Sequence, residues 1–351
     1  MRIDDVSDKS LTQATPAQRK RGGWFYLKRV LLVLVILLIG LPLAGLVYEA
    51  VMASGDAQRY PPPGQMVDVG GHRLHINCMG EGSPTVVLES EFAGTSLDWT
   101  LVQPLISQTT RTCVYDRGGY GWSDPGPEPR SPQQIAAELH TLLTNAGIEG
   151  PYVLVGHSLG GKYVRMFASQ YPEAVAGLVL VDARHESVEP VRTPEENAEA
   201  REQYKGSLGL YSLLRQLGVA RAFGASLLPM LNPVTEHLPS ETRSLMAIFA
   251  GRQTTLDTMV RESAGSTQDD TLLSSASLGD LPLIVLAAGT SVESDEKWAE
   301  AQRMMADLSS NSRLDIVAAG SHTLQWDQPA AVWDTVREVV EAVRTGEPLT
   351  R

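Results

Sequence analysis

Ser158, which has a glycine two positions before it and another two positions after it, is the side chain best suited by position to act as a nucleophile. The pentapeptide Gly156-His157-Ser158-Leu159-Gly160 joins an apolar run, residues 152–155, to a helix-like stretch that begins at Gly161. A serine in a sharp turn between strand and helix needs tiny residues two positions before and after it, because a side chain there would collide across the turn. The pattern predicts an exposed Ser158 hydroxyl and a Leu159 N–H at a helix N-terminus, where it would stabilise developing negative charge.

A serine hydroxyl is a poor nucleophile at neutral pH, so a base must take its proton and a third group must orient that base. Of the seven histidines, His322 is the one that follows the last predicted strand and precedes the final predicted helix, in AAGSHTLQWDQP. A short loop would carry it over the same sheet edge as Ser158. We therefore predict that His322 is the base.

The elements that must position these two residues alternate along the chain. Residues 183–280 break the alternation, because they offer helical pieces such as 208–217 and 241–252 without a convincing strand. The alternation of strands and helices predicts an α/β fold, with a mostly parallel sheet and helices on both of its faces. Residues 183–280 are predicted to form a helical cap over this sheet. The predicted strands are 66–69, 73–79, 85–88, 112–115, 152–155, 178–181, 283–287 and 314–317, and the predicted helices between or after them are 132–145, 161–170, 296–308 and 330–343.

The N-terminal region predicts a membrane anchor. Residues 30–47 carry no charge and approach the roughly 20 residues that cross a bilayer. Five Lys or Arg between positions 19 and 29 precede them, which places residues 1–29 in the cytoplasm as a basic tail. We predict a transmembrane helix over 30–50, an extended Pro-rich linker over 51–64, and an extracytoplasmic catalytic domain. A signal peptide cleaved near Val51-Met52-Ala53, which would leave a secreted protein, is the open alternative.

Composition excludes several function classes. The chain of 351 residues has a net charge of −12, and residues 1–29 hold seven Lys/Arg against three Asp, so the remainder carries −16. That excess of acid argues against a nucleic-acid-binding surface. The glycine-rich residues 118–121 lack the pattern of a phosphate loop or a dinucleotide fingerprint, and no His, Cys, Asp or Glu group has metal-ligand spacing. We expect no nucleotide, metal or other cofactor.

Residues 65–343 resemble the α/β-hydrolase superfamily. The resemblance rests on TVVLES, VYDRGGYGWSD, VLVGHSLGG, LVLVDA and GSHTLQWDQP. It implies an eight-stranded, mostly parallel sheet built from residues 65–182 and 281–345. It also implies a Ser-acid-His order along the chain and a helical cap, residues 183–280, before the seventh strand.

The resemblance leaves two candidates for the acid. Asp182 ends the sixth predicted strand, where some lipases resembling this fold place their acid, and it is our first choice. The usual place is the loop after the seventh strand, where Asp295 is the alternative, although Asp295 is also placed to cap the next helix. His185 lies close enough in sequence to pair with Asp182 instead.

The resemblance also locates the second oxyanion donor in the turn after the third strand. With the register set by Trp99, the backbone N–H of Phe92 is the donor, beside the Leu159 N–H. Glu91 precedes it, and we interpret this residue as a solvated loop acid. In the same fold the second and fourth strands are neighbours, so Cys78 and Cys113 would form a disulfide outside the cytoplasm, worth about 3–4 kcal/mol, or remain two buried thiols.

Together these observations predict a membrane-anchored serine hydrolase that cleaves carboxylic esters, small or lipid-like, through an acyl-enzyme. An aminopeptidase or amidase using the same triad, and a non-catalytic ligand-binding protein of the same fold, stay open as alternatives. The apolar side chains of residues 213–231 would line an acyl pocket, lie near lipid, or belong to the core.

Overall fold

The computed structural model describes residues 23–189, 193–268, 273 and 277–350. Its centre is one eight-stranded sheet in the order β1-β2-β4-β3-β5-β6-β7-β8, in which β1 and β4 each pair antiparallel with β2 and all other neighbours are parallel. The predicted fold class is confirmed. The strands are β1 Gln65–Asp68, β2 Arg73–Met79, β3 Thr85–Glu89, β4 Thr112–Tyr115, β5 Tyr152–His157, β6 Val175–Val181, β7 Leu283–Ala288 and β8 Ser312–Val317.

The central strands are apolar on both faces because helices cover both faces of the sheet. Along β5, Val153 and Val155 enter one core, whereas Leu154 enters the core on the opposite face. This alternation fixes the register, and with it the level at which the chain leaves the sheet after His157. The helices, which we number in chain order, are α1 Gly23–Ser54, α2 Asp56–Arg59, α3 Gln103–Ile106, α4 Pro132–Asn145, α5 Leu159–Gln170, α6 Pro194–Gln216, α7 Val219–Leu231, α8 Ser240–Ala250, α9 Gln253–Gly265, α10 Gly289–Ser294, α11 Glu296–Ala306, α12 Leu324–Asp327 and α13 Pro329–Thr345.

Helix α1 is the one helix among the described residues that is long and apolar enough to cross a membrane. It runs for 32 residues, its most apolar 18-residue window has a mean hydropathy of 3.1, and none of that window is buried in the protein. One turn of π-helix, Ile36–Gly40, interrupts its α-helical geometry. The basic residues predicted as a cytoplasmic tail lie largely before position 23, outside the described residues.

Within the predicted linker, residues 51–64, the chain is helical as far as Arg59 and is therefore not extended there. Helix α1 continues to Ser54, and Asp56–Arg59 forms a further helical turn before the three prolines. Asp56 is buried and ion-paired with Arg221 of the cap at 2.8 Å, and Arg221 also binds Glu49 at 2.9 Å. These contacts dock the helical segment on the cap, and a sequence pattern cannot reveal a partner that lies 165 residues away.

Candidate active site

Ser158 occupies a strained turn between β5 and α5. Its backbone angles are φ 50° and ψ −120°, a conformation that costs free energy for a residue with a Cβ and persists only when its surroundings enforce it. A Cβ on Gly156 would lie 2.6 Å from the Gly160 carbonyl oxygen, and a Cβ on Gly160 would lie 2.6 Å from the carbonyl oxygens of Glu89 and Ser90. Both glycines are therefore required by close backbone approach, as their spacing in the sequence predicts.

His322 lies in the loop that follows β8 and reaches back to Ser158. Its Nε2 is 3.0 Å from the Ser158 Oγ, and its Nδ1 is 2.6 Å from an Asp182 carboxylate oxygen. Burial alone would lower the pKa of His322, but the hydrogen bond and charge of Asp182, with the charge of Glu91, outweigh it and hold this pKa above its usual value. The structure thus brings together three residues that the sequence separates by 164 positions.

Asp182 directly follows β6 and is held by three donors besides His322. It accepts hydrogen bonds from the Ala288 N–H at 3.0 Å, the Ser291 hydroxyl at 2.7 Å and the Trp298 indole N–H at 3.0 Å. Burial favours its neutral form, but these bonds favour the carboxylate, and the pKa of Asp182 lies below its usual value. A rigid, charged acceptor therefore faces the His322 ring.

Asp295, the alternative acid, and His185, the alternative partner of Asp182, both form other hydrogen bonds. Asp295 caps helix α11, accepting from the backbone N–H groups of Lys297 at 2.9 Å and Trp298 at 3.2 Å, so the alternative that made it the partner of His322 is not what the structure contains. His185 bonds to Ser187 at 2.9 Å and not to Asp182. Asp295 acts as the N-cap because its carboxylate accepts hydrogen bonds from the free N–H groups of the first helical turn.

The turn after β3 carries the predicted second oxyanion donor. The hydrogen bonds of the described residues leave the Phe92 N–H without an acceptor, and the Leu159 N–H has no intrahelical acceptor because it opens α5. The Phe92 side chain packs against a small cluster formed by Ile135, Leu159 and Tyr163, which keeps the two segments together. Two free amides thus flank the turn that holds Ser158.

Arg117 anchors this turn, and its role in the site was not recognised from the sequence. Its guanidinium donates to the carbonyl oxygens of Ser90 at 2.8 Å and Glu91 at 2.7 Å, and it also binds the carboxylates of Glu89 at 2.6 Å and Glu262 at 3.0 Å. A buried arginine needs such partners because its charge cannot be left unpaired. The available signal was the sequence Asp116-Arg117, an arginine at the end of an apolar strand.

Glu91 is half-buried, which corrects the interpretation of this residue as a solvated loop acid. Burial raises its pKa, while the charges of His322 and Arg117 act in the opposite direction. Its carboxylate and ring nitrogens of His157 and His322 lie within 4.8 Å of one another, as the donors of a metal site would. Both nitrogens of each ring already have protein partners, so the group does not fit a metal ion.

His157 holds the backbone of His322 through a hydrogen bond. Its Nδ1 lies 3.1 Å from the side-chain amide nitrogen of Gln325, which donates to it, so the proton is on Nε2 and is donated to the His322 carbonyl oxygen at 2.7 Å. Burial lowers the pKa of His157 to about 3, so the ring is neutral at physiological pH.

A cleft of about 360 Å³ opens beside Ser158 and His322, and polar side chains line most of it. Its other lining residues are Arg184, Ser291, Ser294, Asp295 and Trp298. None of the apolar residues 213–231 borders it, and most of their large side chains are exposed. The interpretation of these residues as core is therefore wrong for most of them, and they do not line this cleft.

Cys78 and Cys113 form a disulfide. They are directly opposite one another on the antiparallel strands β2 and β4, as the resemblance implied. The bridge ties the antiparallel edge to the parallel body of the sheet.

Comparisons with known proteins extend this description. An uncharacterized protein of Schizosaccharomyces pombe is 30% identical over 249 residues, which cover 68% of this chain and 42% of that protein. An uncharacterized vacuolar membrane protein of Saccharomyces cerevisiae is 32% identical over 135 residues, covering 33% of this chain and 21% of that protein. The chain thus spans less than half the length of these relatives. Together with α1, the membrane relative supports membrane association.

Among solved structures, a thermophilic esterase from Thermogutta terrifontis superposes with a TM-score of 0.59 at 21% identity, covering 80% of this chain and 98% of that one. That identity shows a shared fold and nothing finer. A family profile described as the alpha/beta hydrolase fold matches residues 84–329, which include all three residues of the Ser158–His322–Asp182 chain of hydrogen bonds. The chain therefore belongs to the alpha/beta hydrolase family.

Proposed function

We propose that this protein is a membrane-anchored serine hydrolase that cleaves carboxylic esters through an acyl-enzyme. The observation that carries the proposal is the continuous path of hydrogen bonds from Ser158 through His322 to Asp182, at 3.0 and 2.6 Å. Nucleophile, base and orienting acid in that order are the arrangement that activates a serine hydroxyl.

In the first half of the reaction, the Ser158 Oγ attacks the ester carbonyl carbon while His322 Nε2 accepts the hydroxyl proton. The carbonyl oxygen becomes an oxyanion between the N–H groups of Leu159 and Phe92. Asp182 stabilises the imidazolium. Collapse of the intermediate breaks the bond to the alcohol, which takes the proton from His322 and leaves.

In the second half, His322 takes a proton from water, and the hydroxide attacks the acyl-serine carbonyl. The same two N–H groups hold the new oxyanion. Its collapse releases the carboxylic acid, and the proton on His322 returns to Ser158. The proposal thus needs no group beyond the residues described.

The Cys78–Cys113 disulfide supports an extracytoplasmic position for the catalytic domain. Disulfides persist in oxidising compartments and are reduced in the cytosol. With the basic residues before α1 on the cytoplasmic side, the positive-inside rule gives the same orientation.

The decisive experiment is covalent labelling with a fluorophosphonate probe, which reacts with activated serines. We expect the full-length protein to be labelled and Ser158→Ala to be unlabelled. Ser244→Ala is the matched control, because Ser244 is a half-buried serine on α8 whose hydroxyl bonds to Ser240 of the same helix, and it should be labelled like the wild type. A labelled Ser158→Ala would contradict the proposal.

Turnover assays then show whether the protein cleaves ester bonds or amide bonds. We expect hydrolysis of p-nitrophenyl esters by the wild type and loss of that hydrolysis in Ser158→Ala. Faster cleavage of amino-acid anilides than of esters would favour an aminopeptidase or amidase. Probe labelling without turnover of either class would indicate a ligand-binding protein that keeps a reactive serine.

A further inference from the structure

The two helices that begin the cap expose an apolar surface that the proposed hydrolysis does not use. The exposed fractions on helix α7 reach 78% for Met230 and 82% for Leu231. Soluble proteins rarely expose so many large apolar side chains to water on one part of their surface. We call this surface the cap face, and define it by Leu210 and Leu213 of α6 and Phe223, Leu227, Met230 and Leu231 of α7.

The cap face lacks the charges that normally keep a surface soluble. Residues 206–235 contain no Asp or Glu, in a chain whose net charge is −12. The two charged residues in this stretch both turn to protein partners. Arg215 donates to Gln253 at 3.3 Å, and Arg221 binds Glu49 and Asp56.

The turn between α6 and α7 packs directly on the membrane-crossing helix. A Cβ on Gly45 would lie 2.3 Å from the Leu217 carbonyl oxygen, and one on Gly218 would lie 2.7 Å from the Tyr48 ring. Small residues on both sides thus permit close contact between α1 and the cap. The ion pairs of Arg221 with Glu49 and Asp56 fix the same junction.

The position of this junction along α1 determines its depth. Gly45 lies about 22 Å along the helix from Val30, the first residue after Lys28 and Arg29, at about 1.5 Å per residue. The hydrocarbon core of a bilayer is about 30 Å thick. With Lys28 and Arg29 at one boundary, Gly45 lies inside the other boundary, whereas Glu49 reaches it. Leu217 and Gly218, which touch α1 at Gly45, are then level with the acyl chains.

We infer that the cap face lies in the bilayer that α1 spans, with its six apolar side chains among the lipid acyl chains near the extracytoplasmic headgroups. Helix α7 has no carboxylate, and the part of α6 from residue 206 onward has none either, which suits this position. The bilayer is favoured over a soluble partner or a second copy because the cap face continues from a segment that is already at lipid depth. The inference rests on the proposed membrane anchoring by α1 and not on the proposed hydrolysis.

The test uses the full-length protein in phosphatidylcholine vesicles, with one cysteine introduced and labelled with an environment-sensitive fluorophore. Met230→Cys places the label on the cap face. Met304→Cys is the matched control, because Met304 is a methionine on α11 with 40% exposure. The native cysteines are bonded to each other and do not take up label.

We expect the label at position 230 to emit at shorter wavelength than the label at position 304, and to be quenched at least twofold more by nitroxide-bearing lipids. Equal, water-like emission at both positions would overturn the inference. A shielded label at position 230 that lipid nitroxides fail to quench, with crosslinking between copies through the same cysteine in an unlabelled sample, would assign the cap face to a dimer instead. Labelling of Ser158 by fluorophosphonate in the same samples reports the proposed function separately.

Discussion

The Nε2–H of His157 donates a 2.7 Å hydrogen bond to the carbonyl oxygen of His322. The residue before the proposed nucleophile therefore holds the backbone of the proposed base. The bond is independent of pH in the physiological range, because the pKa of His157 is about 3 and its ring stays neutral.

Replacing His157 tests this support. His157→Phe keeps a planar ring but leaves the His322 carbonyl and the Gln325 amide without their partner, and we expect kcat to fall roughly 10- to 100-fold, since small misplacements of reacting groups are costly. The acidic limb of the pH profile should keep its position, because His322 still titrates. His140→Phe, at a histidine stacked on Tyr171, is the control and should keep its kcat. Wild-type kcat in His157→Phe would remove the positioning role.

The identity of the acid is tested by exchanging carboxylates for amides. Asp182→Asn keeps the shape of the side chain but loses the charge that stabilises the imidazolium, so we expect kcat to fall on the order of 10³- to 10⁴-fold. Asp295→Asn should keep a kcat of wild-type order, because Asn caps a helix as well as Asp does. Ester hydrolysis at saturating substrate measures both. The reverse ranking would make Asp295 the functional acid.

Local signals predicted much of the fold. The strands at Arg73–Met79 and Thr112–Tyr115 and the helix Pro132–Asn145 have the bounds expected from the sequence. Each lies between clear punctuation, and Ser131 caps the helix by accepting from the Gln134 N–H at 3.3 Å. The observed helix and strand boundaries differ from the predicted ones where tertiary contacts determine them. Helix α5 begins at Leu159 rather than at residue 161 because the strained turn at Ser158 leads straight into it.

Long-range partners account for what the sequence did not reveal. Ser158 and His322 could be paired because both follow strands of one sheet, whose carboxyl ends share an edge. The grip of Arg117 on the Ser90 and Glu91 carbonyls could not, because it depends on how a buried side chain folds back over a neighbouring turn. Asp56 likewise gave no local sign of its ion pair with Arg221.

Loss of the disulfide should destabilise the protein without moving the site. The bond closes a loop with a sequence separation of 35, so we expect the Cys78→Ala, Cys113→Ala double variant to lose about 3–4 kcal/mol of unfolding free energy. Urea titration measures the loss. Reductant should lower the stability of the wild type and leave the double variant unchanged, which separates the bond from lost packing at Cys113. A wild type indifferent to reductant would show that the bond contributes nothing.

The pKa of His322 sets the pH dependence of ester cleavage. The neutral imidazole is the active form, and its pKa is raised, so activity should fall as the pH drops through a value above the usual imidazole pKa of about 6.5. Glu91→Gln removes one of the negative charges that raise this pKa, and the acidic limb of kcat/KM should move to lower pH. Glu300→Gln, at an exposed carboxylate paired with Arg303, should not move it. Coincident profiles for Glu91→Gln and wild type would exclude a charged Glu91 beside the base.

The contact between Gly160 and the turn after β3 gives the sharpest test of the oxyanion donors. In Gly160→Ala the new Cβ meets two backbone carbonyl oxygens at 2.6 Å, those of Glu89 and Ser90, and backbone cannot rotate aside as a side chain can. The turn must move away from Ser158 and carry the Phe92 N–H with it, so we expect kcat to fall about 10²-fold or more, as when one oxyanion donor is lost.

The matched control for that variant is Gly206→Ala on α6. A Cβ on Gly206 meets nothing within 4 Å, so this change should keep kcat and stabilise the protein by roughly 0.5–1 kcal/mol through helix propensity. Thermal unfolding and ester hydrolysis of the two alanine variants separate a folding defect from a catalytic one. A folded Gly160→Ala with wild-type kcat would mean that the Phe92 amide is not the second donor.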